Sequence, residues 1–318
     1  MKPCISIAIP AFKIIFLKEA IQSVLNQSFT DFELIIVNDK SPEDLEKVIS
    51  SFSDSRIKYY KNEINLGKES VVKNWNKCLE YAEGEFFVLF SDDDIYEPEF
   101  LQEMYILLKK WPKVDIAHCR VKMIDSDNKI INYSSSCPEY ENVIDFMWHR
   151  LKGIRIQFAP DFMIRTERLK EIGGFIDFPL AWSSDDATWF QLAKENGVVF
   201  LDKPLCNWRS SNTNISKIGS ADLKINANIK YSKWINDFIN RLDAITEENK
   251  FQIKESKQFI QIWKRKNIVN ILVRTSGDGI LSILNILQNW LKFRKKYQLN
   301  FNILLRATFI IIKNILFT

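Results

Sequence analysis

Apolar and polar positions alternate in blocks along the first half of the chain. Short apolar runs, which are typical of buried strands, cover residues 5–9, 32–37, 57–60, 86–90 and 115–121. Segments whose apolar residues have helical spacing cover residues 17–26, 42–51, 69–82 and 98–110. This alternation predicts an α/β fold with a mostly parallel sheet and helices on both faces.

The pattern changes in the second half. It predicts a hairpin over 123–133, a helix over 142–151, a helix over 185–196 that ends at Gly197, and a strand over 198–201. After Gly219 helical spacing dominates. We therefore expect a domain over 1–218, with halves of about 1–122 and 123–218, followed by a helical region over 219–318.

The helical region is basic. Net charge is +4 for the 318 residues, but it is −6 up to residue 250 and +10 over residues 251–318. Near the end, apolar residues at helical spacing precede a basic cluster: Ile280, Ile283, Leu284, Leu287 and Leu291, then Lys292, Arg294, Lys295 and Lys296. A second apolar run over 309–317 contains Lys313. These segments predict either helices packed on the body or interfacial helices in peripheral contact with an anionic membrane.

Composition narrows the class of protein. Of all residues 46% are hydrophobic and 26% charged, which is usual for globular proteins. The five cysteines have no disulfide-framework or metal-ligand spacing, which indicates a reducing, cytoplasmic setting. Pro10 and Lys13 interrupt the first apolar run and no small-residue cleavage site follows, so we expect no signal peptide. No stretch of 18 uncharged apolar residues exists, so we expect no transmembrane helix.

Several functions are disfavoured by missing motifs. No G-x-G-x-x-G follows the first strand, which argues against dinucleotide binding. The Gly67-Lys68 pair lacks the other residues of a P-loop. His118 and His149 belong to no zinc-type cluster, and no nucleic-acid-reading module accompanies the basic tail.

Three consecutive carboxylates, Asp92 to Asp94, directly follow the apolar run over 86–90. The carboxyl ends of strands are where open α/β sheets bind ligands. Repulsion among close carboxylates is relieved by a cation, so we predict Mg²⁺ or Mn²⁺ held by one or two of them and by substrate phosphates. An alternative is an acidic turn that caps the helix after Pro98.

Polar clusters follow the first four predicted strands. They cover residues 10–12, 38–44, 65–67 and 92–94. In a doubly wound sheet all four would line one crevice.

Five segments together resemble an inverting glycosyltransferase of family 2, with its GT-A fold. The segments, spread over about residues 4–216, are Ser6–Phe12, Ile36–Ser41, Asn65–Gly67 with Lys73 and Asn74, Ser91–Asp94 with Pro98, and Asp185–Asp186. The resemblance implies a nucleotide-diphosphate sugar donor, a divalent metal and an acceptor hydroxyl on a glycan or lipid-linked glycan.

The resemblance also implies roles for donor-binding residues. Asp39 would accept a hydrogen bond from the nucleotide base, in a pocket shaped by Pro10 and Phe12. Asp92 would lie near the ribose, and Arg209 would pair with phosphate oxygens. The matching donor motifs further contain Ser41, Asn65, Gly67 and Asn74.

The metal and catalytic positions follow from the same resemblance. Asp93 is the first expected ligand of Mn²⁺ or Mg²⁺, and Asp94 is the second. Asp186 would be the general base, with Asp185 in place of the family's Glu. Both could instead cap their helix. Trp182 would stack on an acceptor sugar, or belong to the core.

The function expected from this resemblance is metal-assisted, inverting transfer of a sugar in polysaccharide or surface-glycan synthesis. One alternative is a sugar nucleotidyltransferase, which is disfavoured because Pro10–Lys13 stands where a glycine-rich phosphate loop is expected. Another is a non-catalytic scaffold that binds nucleotide-sugars, which is disfavoured by the presence of Asp93 and Asp186.

Overall fold

The computed structural model describes residues 2–210, 219–277 and 281–317. The chain divides into two compact units. One contains the described residues up to Asp177 and those from Ser184 to Ser210. The other contains Phe178–Ser183 and the described residues from Gly219 onward.

The first unit is built on one sheet. Its strands in the described residues are β1 (Ile5–Ala11), β2 (Phe32–Asn38), β3 (Ile57–Lys61), β4 (Phe86–Leu89), β5 (Ile95–Tyr96), β6 (Ile116–Ile124), β7 (Ile130–Tyr133), β8 (Tyr140–Glu141), β9 (Phe162–Arg165) and β10 (Val198–Arg209). The main order is β3-β2-β1-β4-β9-β6-β10-β5, with β7 beside β6 and β8 beside β10. One half of the sheet, made of β3, β2, β1 and β4, is parallel. Strands β6 and β10 are also parallel to each other. The predicted α/β class is confirmed.

Helices of the first unit connect these strands. They are α1 (Leu17–Leu25), α2 (Leu45–Ile49), α3 (Val71–Glu80), α4 (Phe100–Lys110), α5 (Val143–Leu151), α6 (Thr166–Glu171) and α7 (Ser184–Asn196). Fully buried Ile7, Ile36 and Val88 extend from the parallel strands into a core with Ile21 of α1 and Leu101 of α4. The continuous apolar runs of the sequence are thus explained by strands that are buried on both faces.

The bounds of most predicted elements lie within three residues of the observed ones, and two elements differ most in length. The strand expected over 198–201 continues to Arg209, through exposed Asp202 and Lys203 and a register shift before Pro204. The second half of this strand could not be predicted from the apolar pattern, because polar residues and a proline interrupt it. The helix expected over 42–51 is limited to α2, because the Asp44 side chain caps it by accepting a hydrogen bond from the Lys47 amide.

The second unit is helical in its described residues. Its α-helices are α8 (Ala221–Ile239), α9 (Glu247–Arg274), α10 (Leu281–Tyr297) and α11 (Phe301–Phe317). Buried Ile225, Leu272, Ile286, Ala307 and Ile311 join all four in one hydrophobic cluster. Across the described ranges, none of the helices has both the length and the apolar character that a bilayer crossing requires.

Candidate active site

Asp39 ties the end of β2 to the loop after β3. Its carboxylate accepts hydrogen bonds from Asn62 Nδ2 at 2.8 Å, the Leu66 amide at 2.8 Å and the Gly67 amide at 2.7 Å. Asn62 Nδ2 also donates to Asn74 Oδ1 at 2.9 Å. A Cβ at Gly67 would lie 2.8 Å from Asp39 Oδ2, so this position accommodates only glycine without a shift. Three predicted donor residues therefore form one network.

Asp92 joins the end of β4 to the loop after β1. Its Oδ2 accepts hydrogen bonds from the amides of Phe12 at 2.8 Å and Lys13 at 2.7 Å. The Ser41 hydroxyl donates to the Phe12 carbonyl at 2.6 Å and brings in the loop after β2. The pKa of the Asp92 carboxyl is raised, mainly by burial. Together with the Asp39 network, these bonds link loops that the sequence predicted to meet at one edge.

A lysine side chain pairs with the acidic triplet. The Lys13 ammonium pairs with Asp93 Oδ2 and lies 3.4 Å from Asp92 Oδ1. In the sequence, Lys13 stands out only as an interruption of an apolar run. Its position directly after the first strand was the signal for a role in the site, because that strand end faces the triplet.

Asp94 has a free carboxylate oxygen. Its Oδ1 accepts a hydrogen bond from the Arg209 amide at 2.7 Å, whereas its Oδ2 is buried and accepts none from the described residues. Burial, and then the charge of Asp93, raise the pKa of Asp94 to about 8. An unpartnered buried carboxylate oxygen suits a divalent cation.

The donor set decides what kind of metal site is possible. Among the described residues no cluster of three or more His, Cys, Asp or Glu side chains could hold a metal. Asp93 and Asp94 therefore fit Mg²⁺ or Mn²⁺ whose coordination is completed by phosphate and water, and do not form a closed protein cage.

Arg209 occupies a supporting position at the end of β10. Its side chain is 0% exposed, and it donates from Nε to the Asp93 carbonyl at 2.7 Å, from Nη1 to the Asp125 carbonyl at 3.1 Å and from Nη2 to Glu19 at 3.1 Å. The Arg209 guanidinium also lies over the Phe16 ring, with its carbon 3.9 Å from the ring centroid. The buried guanidinium therefore braces the backbone of the acidic triplet, and its pairing with phosphate stays a prediction.

The predicted catalytic pair begins α7. Asp185 Oδ1 accepts a hydrogen bond from the Asp186 amide at 2.9 Å, and Asp186 Oδ1 accepts one from Arg150 Nε at 2.7 Å. Asp185 is the second residue of α7, and Arg150 orients the Asp186 carboxylate. Arg150 lies 36 residues upstream in the last turn of α5, and no motif in the sequence pointed to it.

Burial, and then the Asp186 charge, raise the pKa of Asp185 from 3.8 to about 7. The folded state then binds more protons than the unfolded state between these values, so stability falls as pH rises through this window. Replacing Asp185 with Asn keeps the oxygen that accepts from the Asp186 amide. We expect this variant to gain about 1–2 kcal/mol at pH 8 and nothing near pH 4, in urea unfolding. Exposed Asp127→Asn is the control, and a gain that does not depend on pH would contradict the prediction.

The remaining predicted residues have varied surroundings. Pro10 is partly buried in β1, and Phe12 is 39% exposed. Asn65 accepts a hydrogen bond from the Lys68 amide at 2.7 Å and shapes its own loop. Trp182 belongs to the helical unit and packs, partly buried, against its cluster. Its contact with an acceptor stays a prediction.

Sequence comparisons show that this chain is similar to glycosyltransferases. The sequence model of Glycosyl transferase family 2 matches residues 6–172. An uncharacterized glycosyltransferase of Rickettsia typhi is 26% identical over 272 residues, which cover 83% of this chain and 81% of that protein. The UDP-Glc:alpha-D-GlcNAc-diphosphoundecaprenol beta-1,3-glucosyltransferase WfgD of Escherichia coli is 25% identical over 209 residues, which cover 64% of this chain and 76% of that protein.

Solved structures share the fold at low identity. S. aureus TarS 1-349, in complex with UDP-GlcNAc, has a TM-score of 0.67 and 16% identity, and the match covers 99% of this chain and 92% of that one. The mannosyltransferase PcManGT from Pyrobaculum calidifontis, in complex with GDP-Man and Mn2+, has a TM-score of 0.56 and 15% identity, with 99% and 88% covered.

Proposed function

Because this chain belongs to glycosyl transferase family 2, we propose that it transfers a sugar from a nucleotide-diphosphate donor to an acceptor hydroxyl with inversion at the sugar carbon. The family and the GT-A fold, both predicted from the sequence, are confirmed. The observation that carries the proposal is the network of Asp39 and Asp92, which links the loops at the ends of β1 to β4.

The donor would lie along this network. The exposed Phe12 ring offers a face for the base, beside Asp39 and the loop that contains Asn65 and Gly67. Both oxygens of Asp39 already accept loop hydrogen bonds, so this residue would act mainly by shaping the loop. Solved neighbours hold UDP-GlcNAc and GDP-Man, which supports a nucleotide-sugar as the donor class.

Asp186 would take the proton from the acceptor hydroxyl as that oxygen attacks the sugar carbon. A carboxylate on the face opposite the leaving group is what inversion requires. Arg150 would keep the Asp186 carboxylate in one orientation, through the bond from its Nε. The N-terminus of α7 adds a favourable field for its charge.

Asp93 and Asp94 would hold Mg²⁺ or Mn²⁺ together with the donor diphosphate. When bound, the ion would stabilise negative charge on the leaving diphosphate. The unpartnered Oδ2 of Asp94 supports this assignment, and so does the Mn2+ in a structural neighbour.

The acceptor that we propose is a lipid-linked glycan, in the synthesis of surface polysaccharide at the cytoplasmic face of a membrane. The printed name of the Escherichia coli relative describes transfer to a sugar on diphosphoundecaprenol. The helical unit carries an excess of basic residues, which suits an anionic surface.

Thermal unfolding with a panel of nucleoside diphosphates, with and without Mn²⁺, tests the donor site. A ligand that binds only the folded state raises the melting temperature, and a 100-fold excess over Kd adds about 2.7 kcal/mol. We expect one nucleotide to act, to require the metal, and to lose its effect in Asp93→Ala. No shift with any nucleotide would contradict the donor site, and binding without transfer to any acceptor would favour a scaffold.

Lys13→Met is expected to strengthen binding of Mn²⁺ in the absence of nucleotide, by about fivefold. The ammonium that pairs with the buried Asp93 carboxylate competes with any other cation, and a fivefold change in affinity corresponds to about 1 kcal/mol. Isothermal titration calorimetry measures the change. Lys68→Met, which removes an exposed lysine from a neighbouring loop, is the control. Equal or weaker Mn²⁺ binding by Lys13→Met would show that the ammonium does not compete.

A further inference from the structure

The last helix, α11, presents a continuous apolar stripe to solvent. Its exposed apolar residues are Phe301, Leu305, Phe309, Ile312 and Ile315. At 3.6 residues per turn they fall within an arc of about 120° along the length of the helix. Phe309 is 68% exposed, and contiguous exposed apolar residues of this kind mark interaction sites.

The preceding helix, α10, has a similar stripe. Its exposed apolar residues are Leu281, Leu284, Leu287 and Leu291. The opposite face, with Ile286, Trp290 and Phe293, is buried in the cluster of the helical unit. Each of these helices therefore has one face that packs within the protein and a second apolar face that contacts solvent.

The charge around the stripes has one sign. Residues 281–317 contain six Lys and Arg and no Asp or Glu. Exposed Arg306 and Lys313 lie beside the apolar arc of α11, and exposed Lys292 and Lys295 lie beside that of α10. Lys296 is engaged elsewhere, because it pairs with Asp222 at 2.9 Å.

We propose that the exposed faces of α10 and α11 form a docking surface for an anionic lipid bilayer, with the helices lying in the interface. Apolar stripes bordered by lysine and arginine are the pattern of interfacial helices. A second copy of the chain fits less well, because two surfaces that are both basic would repel each other. The helices would not span the bilayer, since α11 has 17 residues and two charged side chains.

This inference deepens the proposed function, because a lipid-linked acceptor resides in a membrane. Binding of the full chain to vesicles tests it without donor or acceptor, so its failure is read separately from a failure of sugar transfer. Vesicles of phosphatidylcholine with one third phosphatidylglycerol are compared with pure phosphatidylcholine. We expect sedimentation with the anionic vesicles, at least tenfold weaker binding to the neutral ones, and weakening by salt.

Variants locate the surface. Leu305→Glu with Phe309→Glu is expected to weaken binding to anionic vesicles more than tenfold, and Lys292→Gln with Lys295→Gln about fivefold per charge. Ile245→Glu changes a 90% exposed apolar residue of the loop between α8 and α9 and should bind as the unchanged chain does. Circular dichroism and the melting temperature establish that each variant is folded.

Three outcomes would overturn the proposal. One is equal binding to neutral and anionic vesicles, and another is undiminished binding by the folded Leu305→Glu, Phe309→Glu variant. The third is a dimer in sedimentation velocity that this variant dissociates, without any binding to vesicles. That result would assign the stripes to a second copy of the chain.

Discussion

Asp186→Asn is expected to lower kcat by about 10²- to 10⁴-fold, the range that removal of a general base produces. The amide has the same shape, and its oxygen can still accept the hydrogen bond from Arg150 Nε. It cannot take a proton from an acceptor hydroxyl. The loss should therefore appear in turnover, whereas the rise in melting temperature caused by the donor nucleotide should stay unchanged.

Release of nucleoside diphosphate in the presence of acceptor measures this effect. Asp185→Asn is the matched control, since it is the neighbouring carboxylate on the same helix turn and the bond that its oxygen accepts from the Asp186 amide survives the change. We expect the Asp185 variant to lose much less activity than the Asp186 variant. If Asp186→Asn kept activity within tenfold of the unchanged chain, the proton acceptor would have to be another group.

Arg209→Met is expected to lower the free energy of unfolding by about 2–4 kcal/mol, because carbonyl oxygens that lose a buried, charged donor cost about 1–3 kcal/mol each. The methionine fills part of the space, but the carbonyls of Asp93 and Asp125 would lose their donors. The backbone that carries the acidic triplet would then be less firmly held. Donor binding should weaken even where the variant is fully folded.

Urea unfolding, followed by tryptophan fluorescence, gives the change in stability. Arg241→Met removes an exposed arginine and should cost under about 0.5 kcal/mol. Arg209→Lys keeps the charge but loses the forked geometry, and we expect an intermediate loss. A change below about 1 kcal/mol for Arg209→Met would mean that these carbonyls find other donors, and that the guanidinium does not brace the site.

The parallel half of the sheet could be predicted because its strands are buried on both faces and read as unbroken apolar runs. β9 could not, since it has only four residues, Phe162–Arg165, and pairs antiparallel between β4 and β6. Pairing of that kind depends on long-range contacts that a local pattern does not contain.

The candidate site, like the sheet, has one part that could be predicted from the sequence and one part that could not. The meeting of the loops was predictable, because strand polarity alone places the ends of β1 to β4 on one edge. The partners of the carboxylates were not. Arg150 reaches Asp186 from another helix, and Arg209, the last residue of β10, is buried and donates to the carbonyl of Asp93. Such directions are decided by packing between distant segments.

The Asp39 carboxylate accepts a hydrogen bond from the Gly67 amide, and this contact, called the clasp below, affects how donor preference could be changed. One carboxylate holds the backbone of the loop after β3, and the space beside it excludes even a methyl group. A library that randomised either residue would mostly contain misshapen loops. Diversity is better placed at exposed Glu63 and Ile64, where side chains can vary while the clasp preserves the path of the backbone.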